Sequence, residues 1–134
     1  MLGARAALLV LALLVAGCDV GHSFVADNQT SGSVLARIEG MTMSSSSGGS
    51  QPFGFVVIVP ARTRLVIAEQ PFAGDRVTSI EFLSLNCLAI SEFHEFEKGA
   101  VFRIRNGPTI EQVDDFPTGD PTAERISACP ESSA

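Results

Sequence analysis

The 134-residue sequence predicts an all-β protein, an antiparallel β-sandwich of seven or eight short strands preceded by a helical signal peptide. Three observations carry that expectation. Apolar, β-type runs recur along the chain while no 3.6-residue period stands out. Gly, Pro, Asn and Ser interrupt those runs at roughly 8 to 12 residue intervals, the spacing of sandwich folds. Asn106-Gly107, set between two such runs, is a strong hairpin signal because both residues tolerate positive φ in a type I′ turn. At about 150 residues per domain the chain holds one core.

The first element is Met1 to Gly17, in which 14 of 17 residues are hydrophobic and Arg5 is the one charge. Its apolar run, Ala6 to Ala16, suits an export signal of 7 to 15 apolar residues and falls short of the roughly 20 that span a bilayer. The run ends in Leu14-Val15-Ala16-Gly17-Cys18. This motif resembles the lipobox of bacterial lipoprotein precursors, and the resemblance is confined to the signal segment. It implies that residues 1–17 are a lipoprotein signal peptide and that the Cys18 thiol carries diacylglycerol, with palmitate as a further acyl group. Cleavage would make Cys18 the first residue and 18–22 a lipidated tether, holding the protein on a bacterial cell membrane facing the periplasm or the outside. Each buried acyl CH₂ contributes about 0.8 kcal/mol, so two chains anchor a domain stably without a spanning helix. A secretory signal with an incidental cysteine is the competing reading.

The β-sandwich domain is expected over 23–113. Its first strand is Ser23 to Asp27, closed by the polar stretch from Asn28 to Gly32. Ser33 to Glu39 alternates, with Val34, Ala36 and Ile38 on one side and Leu35, Arg37 and Glu39 on the other. The Ser44 to Ser50 tract has no side chain able to bury surface and reads as a loop. Phe53 to Val59 is apolar on both faces, as a strand buried at the centre of a sandwich is. Pro60-Ala61-Arg62 turns the chain into Thr63 to Glu69, and Arg76 to Leu85 and Cys87 to Glu92 follow. Ala100 to Arg105 and Thr109 to Val113 form the hairpin, and Pro108, lacking an N–H, places the second of them at a sheet edge.

The opening Phe24-Val25-Ala26-Asp27-Asn28-Gln29-Thr30 followed by Val34-Leu35-Ala36-Arg37-Ile38 is similar to small bacterial lipoproteins with immunoglobulin-like domains. The chain has no Trp and no Tyr, so the buried tryptophan and tyrosine corner of true immunoglobulin domains are missing. Val, Ile, Leu and nine Phe must build the core.

With Cys18 lipidated, Cys87 and Cys129 remain, and in an exported chain an even pair defaults to a disulfide. The bridge closes a loop of about 43 residues, for which the chain-entropy model gives on the order of 4 kcal/mol. A metal site, which favours C-x-x-C spacing, and a catalytic thiol, which needs a base such as His22 or His94, are the competing readings. The bond's expected role is to pin residues 114–134, a tail containing Pro117, Pro121 and Pro130.

Glu92-Phe93-His94-Glu95-Phe96-Glu97 is the densest polar cluster. On an extended strand Glu92 and His94 share one side and Glu95 the other, so a metal bound by Glu92, His94 and Glu95 would need further donors, for which Asp114, Asp115 and Asp120 are available. The competing reading is a solvated loop with Phe93 or Phe96 tucked into the core. The sequence contains no G-x-S-x-G elbow, P-loop or dinucleotide fingerprint. Removing residues 1–17 leaves 15 acidic and 8 basic groups, a balance of −7 that suits nucleic acid poorly. The functional expectation is a membrane-anchored lipoprotein with a non-enzymatic binding or structural role, an envelope protein as partner and no cofactor. The alternative is a small-ligand or divalent-metal-binding lipoprotein using Glu92, His94 and Glu95.

Overall fold

A computed structural model describes residues 22–43, 49–70, 76–96, 99–115, 119–127 and 129. The expected signal peptide, Cys18 and the expected tether up to residue 21 lie outside the described residues. The described strands are β1 (His22–Asn28), β2 (Val34–Met43), β3 (Ser50–Val59), β4 (Thr63–Gln70), β5 (Arg76–Leu83), β6 (Ala89–His94), β7 (Ala100–Arg105), β8 (Thr109–Val113) and β9 (Glu124–Ile126). They form a four-stranded sheet in the order β4-β1-β7-β8 and a five-stranded sheet in the order β6-β5-β2-β3-β9.

Every run expected to be extended contains a strand, but β5 stops at Leu83 and β6 starts at Ala89, so Leu85, Cys87 and Leu88 fall in the turn between them. Pro108 opens onto β8, an edge strand as its missing N–H requires. Three expectations are corrected. The strands number nine rather than seven or eight, because β9 forms beyond Val113. Glu124-Arg125-Ile126 is too short and too charged to show a period, and its pairing with Val56, Val57 and Ile58 of β3 defines it. The sheets are not wholly antiparallel, since β1 and β7 run parallel over Phe24–Asn28 and Ala100–Ile104. That pair joins segments far apart in the chain, which no local pattern records. The hairpin turn, lastly, is not the two-residue type I′: three residues separate the paired Arg105 and Thr109, positive φ occurs at Gly107 and not at Asn106, and the Gly107–Pro108 peptide is cis.

Strand alternation builds the core directly. Phe24, Ala26, Phe102 and Ile104 point inward from the four-stranded sheet onto Ala36, Ile38, Val57, Ile80 and Phe82 of the five-stranded sheet, all fully buried or nearly so. Without Trp or Tyr, the large volumes are supplied by phenylalanine. Phe102 is the hub, with ring centroids 5.3 Å from Phe82, 4.9 Å from Phe93 and 6.0 Å from Phe96, separations at which offset and edge-on aromatic pairs attract.

The outward faces are not uniformly polar. On the four-stranded sheet Val66, Val25, Val101 and Val113 stand in one cross-strand row, and the first three are buried. A second row, Arg64-Asp27-Arg103-Glu111, crosses the same strands with alternating charge, so each directly opposed pair attracts. On the five-stranded sheet the outward-facing Leu35, Val56 and Leu83 are also buried, at 2%, 7% and 1% exposure. This explains why Phe53 to Val59 reads as apolar on both faces: β3 lies beside the edge, and its outward side is covered too.

On the five-stranded sheet the C-terminal chain supplies the cover, through Ile126 and Cys129 with Cys87 beside them. It leaves β8 at one edge of the four-stranded sheet and reaches β4 at the other, where Val66 N–H donates to Pro121 O and Ala123 N–H to Val66 O, each at 2.8 Å. From there it passes to the other sheet as β9 beside β3 and ends, among the described residues, at Cys129 against the Leu35, Val56 and Leu83 cluster.

Candidate functional site

The expected acidic cluster falls on β6, an edge strand through His94 rather than a solvated loop. Extended geometry places Glu92 and His94 on one side, and His94 Nε2 lies 3.1 Å from Glu92 Oε1, with the two side chains 55% and 49% exposed. Glu81 faces Glu92 across the ladder and is bound by Arg37 at 2.9 Å, so two directly opposed carboxylates are each flanked by a basic group. The strand ends there because Glu95 takes φ of 61°, which breaks the extended repeat. Phe93 and Phe96 both pack on the core. Among the described residues no three His, Cys, Asp or Glu side chains converge on one point that a metal ion could occupy.

Two of the three aspartates expected as further donors, Asp115 and Asp120, are engaged elsewhere. Asp120 Oδ1 accepts from Arg64 Nε at 3.1 Å and Asp115 Oδ2 from Arg64 Nη1 at 3.2 Å. Burial opposes the charge on Arg64, but hydrogen bonds and charge from Asp120 and Asp115 outweigh it and raise its pKa above the usual arginine value. Arg64 stands on the outward face of β4, opposite Asp27. The result is a clamp holding both described ends of the 113–120 connection against that face.

Sequence reasoning passed over the most thoroughly satisfied polar group. Asn28 is 1% exposed, and its Nδ2 lies 2.9 Å from Gly32 O and 3.1 Å from both Val59 O and Pro60 O. Its Oδ1 accepts from Thr30 N at 3.0 Å, and the Thr30 hydroxyl sits 2.7 Å away. One amide thereby ties the β1–β2 turn to the β3–β4 turn. Asn28-Gln29-Thr30 also fits the N-x-[ST] acceptor pattern, the signal that marks it for inspection. Burial and these bonds close that amide to modification.

Cys87 and Cys129 form a disulfide with Cα atoms 5.9 Å apart. Cys87 sits in the β5–β6 turn at φ of 63°, where its N–H donates to Ser84 O at 2.9 Å and Ser84 N–H to Leu88 O at 2.9 Å. On either side of it are Leu85 and Leu88, 52% and 67% exposed and the two exposed large hydrophobic side chains among the described residues. The sulfurs bridge the turn to the tail across the outward face of the five-stranded sheet.

The chain matches no protein-family model, and neither the curated proteins nor the solved structures include a significant match to it. The site features are therefore argued from geometry alone. They comprise an edge pair of Glu92 and His94, an arginine clamp, a buried asparagine and a disulfide turn with an apolar collar.

Proposed function

We propose that the chain is a membrane-anchored bacterial lipoprotein whose sandwich, of immunoglobulin-like kind, has a binding or structural role at the cell envelope and no enzymatic one. The observation that carries this reading is the spacing between the lipobox-like Leu14-Val15-Ala16-Gly17-Cys18 and the first strand. Asp19, Val20 and Gly21 alone separate Cys18 from His22, where β1 begins. A tether this short spans at most about 15 Å when fully extended, so the end of the sandwich where β1 starts faces the membrane. The β5–β6 turn lies at the opposite end, because Leu83 pairs with Leu35 near the start of β2. That puts Leu85 and Leu88 about 20 Å further out, where an envelope partner can reach them. A surface of net charge −7 beside anionic lipid supports the same stand-off orientation.

A non-enzymatic role is supported by what the chemically capable groups do. Arg64 is tied up by Asp115 and Asp120, Asn28 holds two turns together, and His94 pairs with Glu92 on an open edge. The test is Cys18→Ala in a bacterium that processes lipoproteins. It should abolish palmitate labelling and move the protein from membrane to soluble fractions; unchanged labelling and fractionation would remove the assignment.

A further inference from the structure

We infer that the Cys87–Cys129 bond is a latch that a protein dithiol opens, releasing β9 and Cys129 as a strap while the rest of the sandwich stays folded. The observation is a division of labour along the tail. Up to Ala123 the chain is held without the disulfide: Arg64 binds Asp115 and Asp120, β4 exchanges two backbone hydrogen bonds with the Pro121 to Ala123 segment, and Ala123 is buried in the central core. Beyond Ala123 nothing described belongs to that core. Glu124–Ile126 make a three-residue pairing with β3, Arg125 stacks over Phe55 at 3.9 Å, and Ile126 and Cys129 lie on the separate outward cluster of Leu35, Val56 and Leu83. Three residues is the short end of strand length and β9, at the sheet edge, pairs with β3 alone, so the covalent bond is the stronger part of the attachment.

The turn that carries Cys87 is also built for access. Leu85 and Leu88 form an exposed apolar collar beside a half-buried sulfur, in a chain whose other described large hydrophobics are sheltered. Such a collar gives a dithiol protein a contact that water-exposed serines would not. In the exchange, a thiolate of the dithiol attacks Cys87 Sγ, and the Cys87–Cys129 bond breaks as a mixed disulfide forms. Cys129 leaves as thiolate and takes up a proton. The second thiol of the reductant then attacks its own partner sulfur in the mixed disulfide and frees Cys87 as a thiol. The chain gains two electrons and two protons, and the reductant ends as its disulfide. Release uncovers Leu35, Val56 and Leu83 together with the edge of β3 over Val56–Ile58, an apolar surface beside an open hydrogen-bonding edge.

The experiment uses the full oxidised chain, with thioredoxin as the protein dithiol and dithiothreitol as the small one. Reduction by either should speed tryptic cleavage after Arg125 at least tenfold and raise binding of an apolar dye, with the cooperative thermal transition retained. Leu85→Ser with Leu88→Ser should slow reduction by thioredoxin about tenfold and leave reduction by dithiothreitol unchanged. Cys129→Ser should match the reduced protein without any reductant. Unaltered cleavage after Arg125 on reduction would show that β9 is held without the bond. Loss of the cooperative transition on reduction or in Cys129→Ser would make the segment part of the fold rather than a strap, and equal slowing of both reductants would dismiss the collar. Each of these three results overturns the latch.

Discussion

Arg64 Nε donates to Asp120 Oδ1 at 3.1 Å across 56 positions of sequence, and this contact decides where the tail goes. Asp120 is 12% exposed and Arg64 24%, so solvent screens the pair only in part. Arg64→Ala should lower stability by about 1–2 kcal/mol, the range for charged hydrogen bonds after discounting for exposure, with earlier proteolysis in the 113–120 connection. Urea denaturation measures the first and limited digestion the second.

The pH dependence of that clamp follows from the direction of the shift on the arginine. A folded pKa raised above the usual arginine value means that its contribution is fully present below the unfolded value and is lost only as pH rises through the higher folded one. Arg64→Met should therefore lower the melting temperature by the same amount at pH 7 and at pH 9. A difference that shrinks between those two values contradicts the assignment.

Asn28 makes the sharpest single-residue prediction. Asn28→Ala strands the Thr30 N–H and the carbonyls of Val59 and Pro60, and at roughly 1–3 kcal/mol for an unsatisfied buried group the loss should reach at least about 2 kcal/mol. Asn28→Asp should be no milder, because an anion would face three carbonyl oxygens. Expression through a glycosylating secretory route should leave Asn28 bare, as peptide mass mapping would record.

Close packing sets a further contrast. A methyl group on Gly99 would collide with the backbone of Ser23, and one on Gly40 with Arg76 O and the Phe53 ring, whereas Gly32 has open space. Gly99→Ala and Gly40→Ala should each cost about 1–3 kcal/mol as overpacking does, with Gly32→Ala within about 0.5 kcal/mol of the parent. Thermal melts of the three variants give the comparison.

The strands were legible because alternation is local: Val34, Ala36 and Ile38 point one way along β2 wherever its partners lie. The disulfide was legible by counting, once Cys18 was assigned to the signal motif. What was not legible depends on segments distant in sequence. The parallel pairing of Phe24 with Ala100 and the β9 strand beside Val56 leave no period in the residues that form them. Asp115 and Asp120 looked like spare metal donors because nothing in their neighbourhood announces Arg64. Asn28 looked like ordinary turn chemistry, since the carbonyl groups it binds belong to Val59 and Pro60.

One measurement addresses the proposed anchor and the staple together: the number of alkylated thiols in the intact protein taken from the cells that make it and denatured, before and after reduction. A chain with Cys18 acylated and Cys87 bonded to Cys129 takes up no alkylating groups before reduction and two after it. One group before reduction and three after it would leave Cys18 a free thiol and contradict the lipoprotein reading. Two before reduction with no gain after it would break the Cys87–Cys129 bond and, with it, the latch.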